Sequence, residues 1–168
     1  MPLVIVEATH PQITTLTLNR PERRNALTIE LMQELTAALD AASADEKRRV
    51  LILRGAGQAF CAGLDLKEAA VTENAHLSAE TVAKTLIAIS QTRLITIAAI
   101  HGAAVAGGAG IMSACDFVVA AERTKIGYPE AKRGLVAGLV MTFLRRQLRE
   151  RDVRELQPGG RERRPGGP

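Results

Sequence analysis

Two largely apolar runs, Val50-Leu51-Ile52-Leu53 and Ile95-Thr96-Ile97-Ala98-Ala99-Ile100, each lead directly into a turn of small residues. A run this apolar has no polar face to offer water, so it reads as a strand buried on both sides, and such strands belong to parallel sheets covered by helices. Helical patterns between the runs supply the crossovers that parallel strands require, and the expected class is α/β. The turns are Gly55-Ala56-Gly57-Gln58-Ala59-Phe60-Cys61-Ala62-Gly63-Leu64-Asp65-Leu66 and His101-Gly102-Ala103-Ala104-Val105-Ala106-Gly107-Gly108-Ala109-Gly110. Small residues leave backbone N–H groups unobstructed, and two such turns side by side make a donor pair for a developing oxyanion.

Around these turns the pattern is regular. Leu3 to Ala8 and Ile13 to Leu18 alternate on either side of His10-Pro11 and read as a β-hairpin. Asn19 to Asn25 is a polar loop, after which Thr28 caps a helix whose apolar face is Leu31, Met32, Leu35, Ala38 and Leu39. A second helix is expected from Ser78, as N-cap, to Gln91, with Val82, Leu86 and Ile89 inward. Further on come a short helix over Gly107 to Ala114, a strand over Phe117 to Ala120, a strand at Lys125 to Tyr128 and a helix over Val136 to Leu148. From Gln157 to Pro168 the chain is Arg, Gly and Pro with no apolar residue to bury, so residues 157–168 are expected to be a disordered tail on a core of residues 1–156.

A chain of 168 residues holds one domain with a real core. Its aromatics are Phe60, Phe117, Phe143 and Tyr128, so the core is built from aliphatic residues and a base-stacking platform for nucleic acid is absent. The net charge of +4 comes from arginines after Phe143, and says little about the domain. The N-terminus has no secretory pattern and no stretch approaches the roughly 18 apolar residues of a membrane span, so a cytoplasmic protein with reduced thiols is expected. Cys61 and Cys115 read as buried small hydrophobes, and His101 as a histidine satisfied by backbone.

Asn19-Arg20-Pro21 with Asn25-Ala26-Leu27, then Gly57 to Leu66, Ala106-Gly107-Gly108, Cys115-Asp116 and Tyr128-Pro129-Glu130 together resemble the enoyl-CoA hydratase/isomerase (crotonase) superfamily, from about Leu3 to Leu156. The resemblance implies a spiral of ββα units acting on an acyl-CoA thioester, with coenzyme A as part of the substrate, no separate cofactor and no metal. It implies a homotrimer or hexamer, with no nucleic-acid or membrane partner. It puts the two N–H groups that hold the thioester oxygen on Ala62 and Gly107. The coenzyme A site falls on Ala62, Gly63, Leu64, Asp65 and Gly107, with Arg24 a candidate for the pyrophosphate. Gly107 suits the role physically, since it opens a helix and its N–H sits unpaired at the positive end of the dipole.

The family's hydratases use two glutamates. Here the first position falls on Gly110 and the second on Glu130. A single carboxylate suits the shuttling of one proton between two carbons, or hydration with one glutamate acting twice in succession. The expected function is hydration of a 2-enoyl-CoA or a double-bond shift, in the setting of fatty acid metabolism. The family's C-terminal helical segment is missing from the pattern, and the alternative is a shortened, silent chain that binds coenzyme A or a partner and exposes apolar surface. Gly55-x-Gly57-x-x-Phe60 lacks the third glycine of a dinucleotide turn, and His10, His76 and His101 have no metal-ligand spacing.

Overall fold

The computed structural model describes residues 1–70 and 72–127. Strands β1 (Val4–His10) and β2 (Ile13–Leu18) form the expected hairpin, with Val4 opposite Leu18 and Val6 opposite Leu16. Helix α1 (Ile29–Ala44) carries the chain over to β3 (Val50–Gly55), which lies parallel to β2 with Ile13 opposite Val50. Helices α2 (Leu66–Ala69) and α3 (Thr72–Gln91) lead to β4 (Ile95–Ile100), parallel to β3. β5 (Ala103–Val105) then turns away into a second sheet, α4 (Gly107–Ala114) follows, and β6 (Phe117–Ala120) returns to pair with β4. β7 (Lys125–Gly127) closes the described chain beside β5. The large sheet has the order β1-β2-β3-β4-β6 and the small one β5-β7.

A single-residue bridge from Cys61 to Ala104 extends the small sheet, and another joins Leu27 to Leu64. Each circuit of the chain thus gives a strand to the large sheet, a short segment that pairs outside it, and then a helix. This is the expected ββα spiral. Periodicity alone reaches only a parallel α/β class, because segments one to three residues long carry no alternation to read.

The core lies between one face of the large sheet and the helices. Val4, Leu16, Leu18, Leu51, Leu53, Ala98 and Ile100 project from the strands onto Leu31, Met32, Leu35 and Leu39 of α1 and Val82, Leu86 and Ile89 of α3, all of them buried. Thr28 caps α1 as its sequence suggests, accepting from Leu31 N at 3.2 Å, and the Glu68 carboxylate takes the next orphan donor, Ile29 N, at 2.9 Å. At the outer strand β6, Phe117 and Val119 are 60% and 62% exposed.

Helix α3 begins at Thr72, earlier than the expected start at Ser78, which is buried inside it. The stretch from Thr72 to His76 has no apolar stripe and only Glu73 and Ala75 as strong helix formers, so its helicity is invisible to periodicity and weak in propensity. Tyr128, Pro129 and Glu130, the expected helix over Val136 to Leu148, and residues 157–168 lie outside the described residues.

Arg93, just after α3, ties two connections together. Its guanidinium donates to Ser43 O at 2.7 Å, Asp45 O at 2.6 Å and Arg48 O at 3.0 Å, which fixes the path from α1 into β3. Replacing Arg93 with Ala should lower unfolding stability by about 1 kcal/mol, from the loss of three charge-assisted bonds at an exposed site. Arg93→Lys should recover less than half of that, because an ammonium cannot span three acceptors as a planar fork does. Urea midpoints of the three proteins check both expectations.

Candidate functional site

The first turn reaches the small sheet at Cys61. Cys61 N–H donates to Ala103 O at 3.0 Å and its carbonyl accepts from Val105 N–H at 3.1 Å, which stitches it to β5. The next residue faces the other way, with Ala62 N–H donating to Arg24 O at 2.9 Å. Gly63, at φ +89°, then redirects the chain. Its carbonyl accepts from Leu27 N–H at 2.8 Å, and Asp65 N–H donates to Leu27 O at 2.9 Å. When the two flanking residues bond to one partner in this way, the N–H of the residue between them points to the opposite side. That residue is Leu64. The expectation that Ala62 offers its N–H to a ligand is therefore corrected: that donor is taken by Arg24, and the open one belongs to Leu64. Only the pairing with Leu27, distant in sequence, decides between them.

The second turn ends at Ala106, whose φ of 52° and ψ of −124° set the entry to α4 and whose N–H donates to Gly127 O at 2.9 Å. Gly107 is the first residue of α4, where N–H groups have no partner inside the helix and the dipole is positive. Neither Gly107 N–H nor Leu64 N–H has an acceptor among the described residues. The two turns are packed closely. A Cβ on Gly108 would stand 2.5 Å from Cys61 O and 2.7 Å from Cys61 Cβ. A Cβ on Gly63 would stand 3.3 Å from Gly107 N, and one on Gly107 would stand 3.7 Å from Leu64 N. The two donors therefore lie close together, with Leu27 Cδ1 and Ala106 Cβ the nearest side-chain atoms, 3.1 Å from a Cβ on Gly107 and 2.6 Å from one on Gly63. A pair of backbone donors at such close quarters can hold an oxygen gaining negative charge.

Other candidates fall around these donors in different ways. Asp65 is engaged in structure, with its carboxylate accepting from Arg20 at 3.2 Å and from Lys67 N at 3.1 Å, where it caps α2. Burial pushes the Asp65 carboxyl upward, but the Lys67 amide, Arg20 and the Glu68 amide outweigh it and hold the pKa below its ordinary 3.8. Asp65 followed by Glu68 is a capping signature, and it is the sequence signal that could have revealed α2. Arg24 is exposed on the loop that holds Ala62. Gly110 lies within buried α4, which carries no acidic residue, and Glu130 lies outside the described residues.

The thiols are not nucleophiles. Burial pushes Cys61 and Cys115 up to about 12, and Cys61 Sγ–H donates to Asn25 O at 3.1 Å. His101 Nε2 bonds Gly57 O at 2.9 Å, the backbone-satisfied state its sequence suggests. Among the described residues no cluster of His, Cys, Asp and Glu can hold a metal ion, and no helix is long and apolar enough to cross a membrane.

Residues 8–165 match the enoyl-CoA hydratase/isomerase family model, and the chain belongs to that family, the crotonase superfamily. It is 40% identical to a putative enoyl-CoA hydratase of Thermus thermophilus, over 95% of this chain and 64% of the relative. An enoyl-CoA isomerase/hydratase of Mycosarcoma maydis is also 40% identical, over 73% of this chain and 49% of its own length. The crystal structure of an enoyl-CoA hydratase from Bacillus anthracis superposes with a TM-score of 0.90 at 34% identity, over 95% of this chain and 64% of that one. The chain thus spans less than two thirds of the length of these relatives.

Two outcomes follow from the geometry. Because the folded state holds Asp65 ionised more readily than the unfolded chain does, Asp65 stabilises the fold above its ordinary pKa of 3.8, and that contribution is lost as pH falls from there through the lower folded value. Asp65→Asn should therefore be less stable than the parent at pH 7, with the gap closing below about pH 4 in paired thermal melts. Gly63→Ala should cost about 2 kcal/mol, from strain at positive φ and from a methyl placed 2.6 Å from Ala106 Cβ, and lower the urea midpoint accordingly.

Proposed function

We propose that this chain binds an acyl-CoA thioester with its carbonyl oxygen between Leu64 N–H and Gly107 N–H. The observation that carries this reading is the pair of acceptor-free backbone donors on two closely packed turns, and membership of the enoyl-CoA hydratase/isomerase family supports it. As a proton leaves the carbon next to the carbonyl, charge moves onto the thioester oxygen. Fixed donors and the α4 dipole stabilise it without reorganising, and loss of one donor costs about 3 kcal/mol of barrier. Ala62, Gly63 and Asp65 flank coenzyme A through backbone, with Arg24 toward its pyrophosphate.

Glu130 is the residue that moves the proton. Its carboxylate takes a proton from Cα of a 3-enoyl thioester and returns it to Cγ, so the double bond shifts into conjugation with no atom gained or lost. With a 2-enoyl thioester the same carboxylate takes a proton from water as the oxygen adds to Cβ, then delivers a proton to Cα. Gly110, standing where a second carboxylate would share these tasks, favours the double-bond shift.

Assay of the chain with 2-enoyl and 3-enoyl thioesters separates the two reactions. Glu130→Gln should lower turnover by about a thousandfold or more, the scale of a lost general acid–base, while acyl-CoA binding stays within experimental error. Full activity in that variant would sink the assignment of Glu130, whereas binding without turnover in the parent chain would leave a coenzyme A-binding protein.

A further inference from the structure

We propose that Asn25 is a positioning residue for the thioester: its side-chain amide sets the strand that presents Leu64 N–H, and polarisation of the bound carbonyl depends on it. The inference rests on the thioester reading of the two donors given above.

Asn25 is 0% exposed, with its backbone at a left-handed φ of 54°. Its Nδ2 lies 2.9 Å from Ala56 O, 2.8 Å from Ala59 O and 3.2 Å from Phe60 O, so its two N–H bonds are shared among three carbonyls, and its Oδ1 accepts from Arg20 N at 2.8 Å. Both ends of the amide are engaged, and both are needed. An aspartate would turn an oxygen toward three carbonyls, and an alanine would leave them buried without a donor. Gly55 leaves this amide its place, since a Cβ there would stand only 2.7 Å from Nδ2.

The position of this amide gives it more than a structural role. Three holds succeed one another along the same loop. The Asn25 side chain grips residues 56, 59 and 60, Arg24 O takes Ala62 N–H, and Leu27 brackets Leu64 through Gly63 and Asp65. Asn25 therefore fixes the register in which the strand meets the other two. Arg24 and Asn25 both sit at positive φ, a conformation that asparagine tolerates better than most residues, so the direction of Arg24 O depends on the same position. Without the first hold, slack passes along the strand toward Leu64. Misplacement of a reacting group by about 1 Å costs on the order of 100-fold in rate.

The test uses cinnamoyl-CoA, whose long-wavelength absorption shifts to the red when hydrogen bonds polarise its carbonyl. The unmodified chain should bind it with a red shift. Asn25→Ala and Asn25→Ser should bind it within about threefold of the parent affinity but lose more than about half of the shift, and kcat should fall about 10- to 100-fold with KM little changed. Leu39→Ala, a cavity in α1 remote from the loop, gives a comparable loss of stability and should keep the shift. Each spectrum is scaled to the folded fraction read by circular dichroism, so partial unfolding of a variant leaves the comparison intact. If the parent binds without a shift, the thioester reading of the two donors fails. If the parent shows the shift and folded Asn25 variants retain all of it, Asn25 only holds the fold together and the inference is overturned.

Discussion

Backbone can approach backbone only where no side chain stands between, and the site depends on that condition being met twice. Gly108 lets the first turn of α4 lie on the Cys61 strand, and Gly63 keeps open the space in front of Gly107. Each turn belongs to a different circuit of the spiral, and the parallel pairing of β3 with β4 brings the circuits into line. The sheet supplies the alignment, and the absence of side chains supplies the last few ångströms. A methyl group at either glycine would push the donors apart before any chemical group had changed.

The loop from Arg20 to Leu27 acts as a template for the first turn. Arg20 holds Asp65, Asn25 holds the carbonyls of residues 56, 59 and 60, Arg24 holds Ala62, and Leu27 holds the two sides of Leu64. These are mostly bonds to buried backbone, where an unmet carbonyl is costly and a met one is nearly rigid. The second turn has a different source of definition. Ala106 sits at φ 52° and ψ −124°, a region that costs a residue with a side chain about 1–3 kcal/mol and persists only because its neighbours over-determine it. The bond from Ala106 N–H to Gly127 O and the buried α4 helix behind it provide that determination.

Much of this was legible in the residues, for reasons that differ from element to element. The hairpin, α1 with its Thr28 cap, and the buried strands β3 and β4 follow from periodicity and capping, which are local. The spiral was not legible from periodicity, because Leu27 and Cys61 pair only through single-residue bridges. Gly107 could be singled out because a helix start announces its own free N–H. Leu64 could not, because whether a strand residue's N–H points into a gap or into a neighbour is decided by pairing across dozens of positions. The first turn points to Ala62, whose N–H the folded chain gives to Arg24 O, while the N–H two residues on, without an acceptor among the described residues, belongs to Leu64. Asn25 was visible as part of a motif, but its function as a fourfold hydrogen-bond centre needs the three carbonyls of residues 56, 59 and 60 turned toward it.

The large sheet has one further property: its spatial order, β1-β2-β3-β4-β6, follows the order of the chain. Only the hairpin is local, since Ile13 pairs with Val50 and Val50 with Ile95. Parallel pairings of this kind carry a large loop-closure entropy and fold slowly when the chain starts from a fully unfolded state. Synthesis from the N-terminus changes the problem. Each strand, as it leaves the ribosome, meets the finished edge of the strand made before it, so the sheet grows at a single edge and no earlier strand has to be reopened.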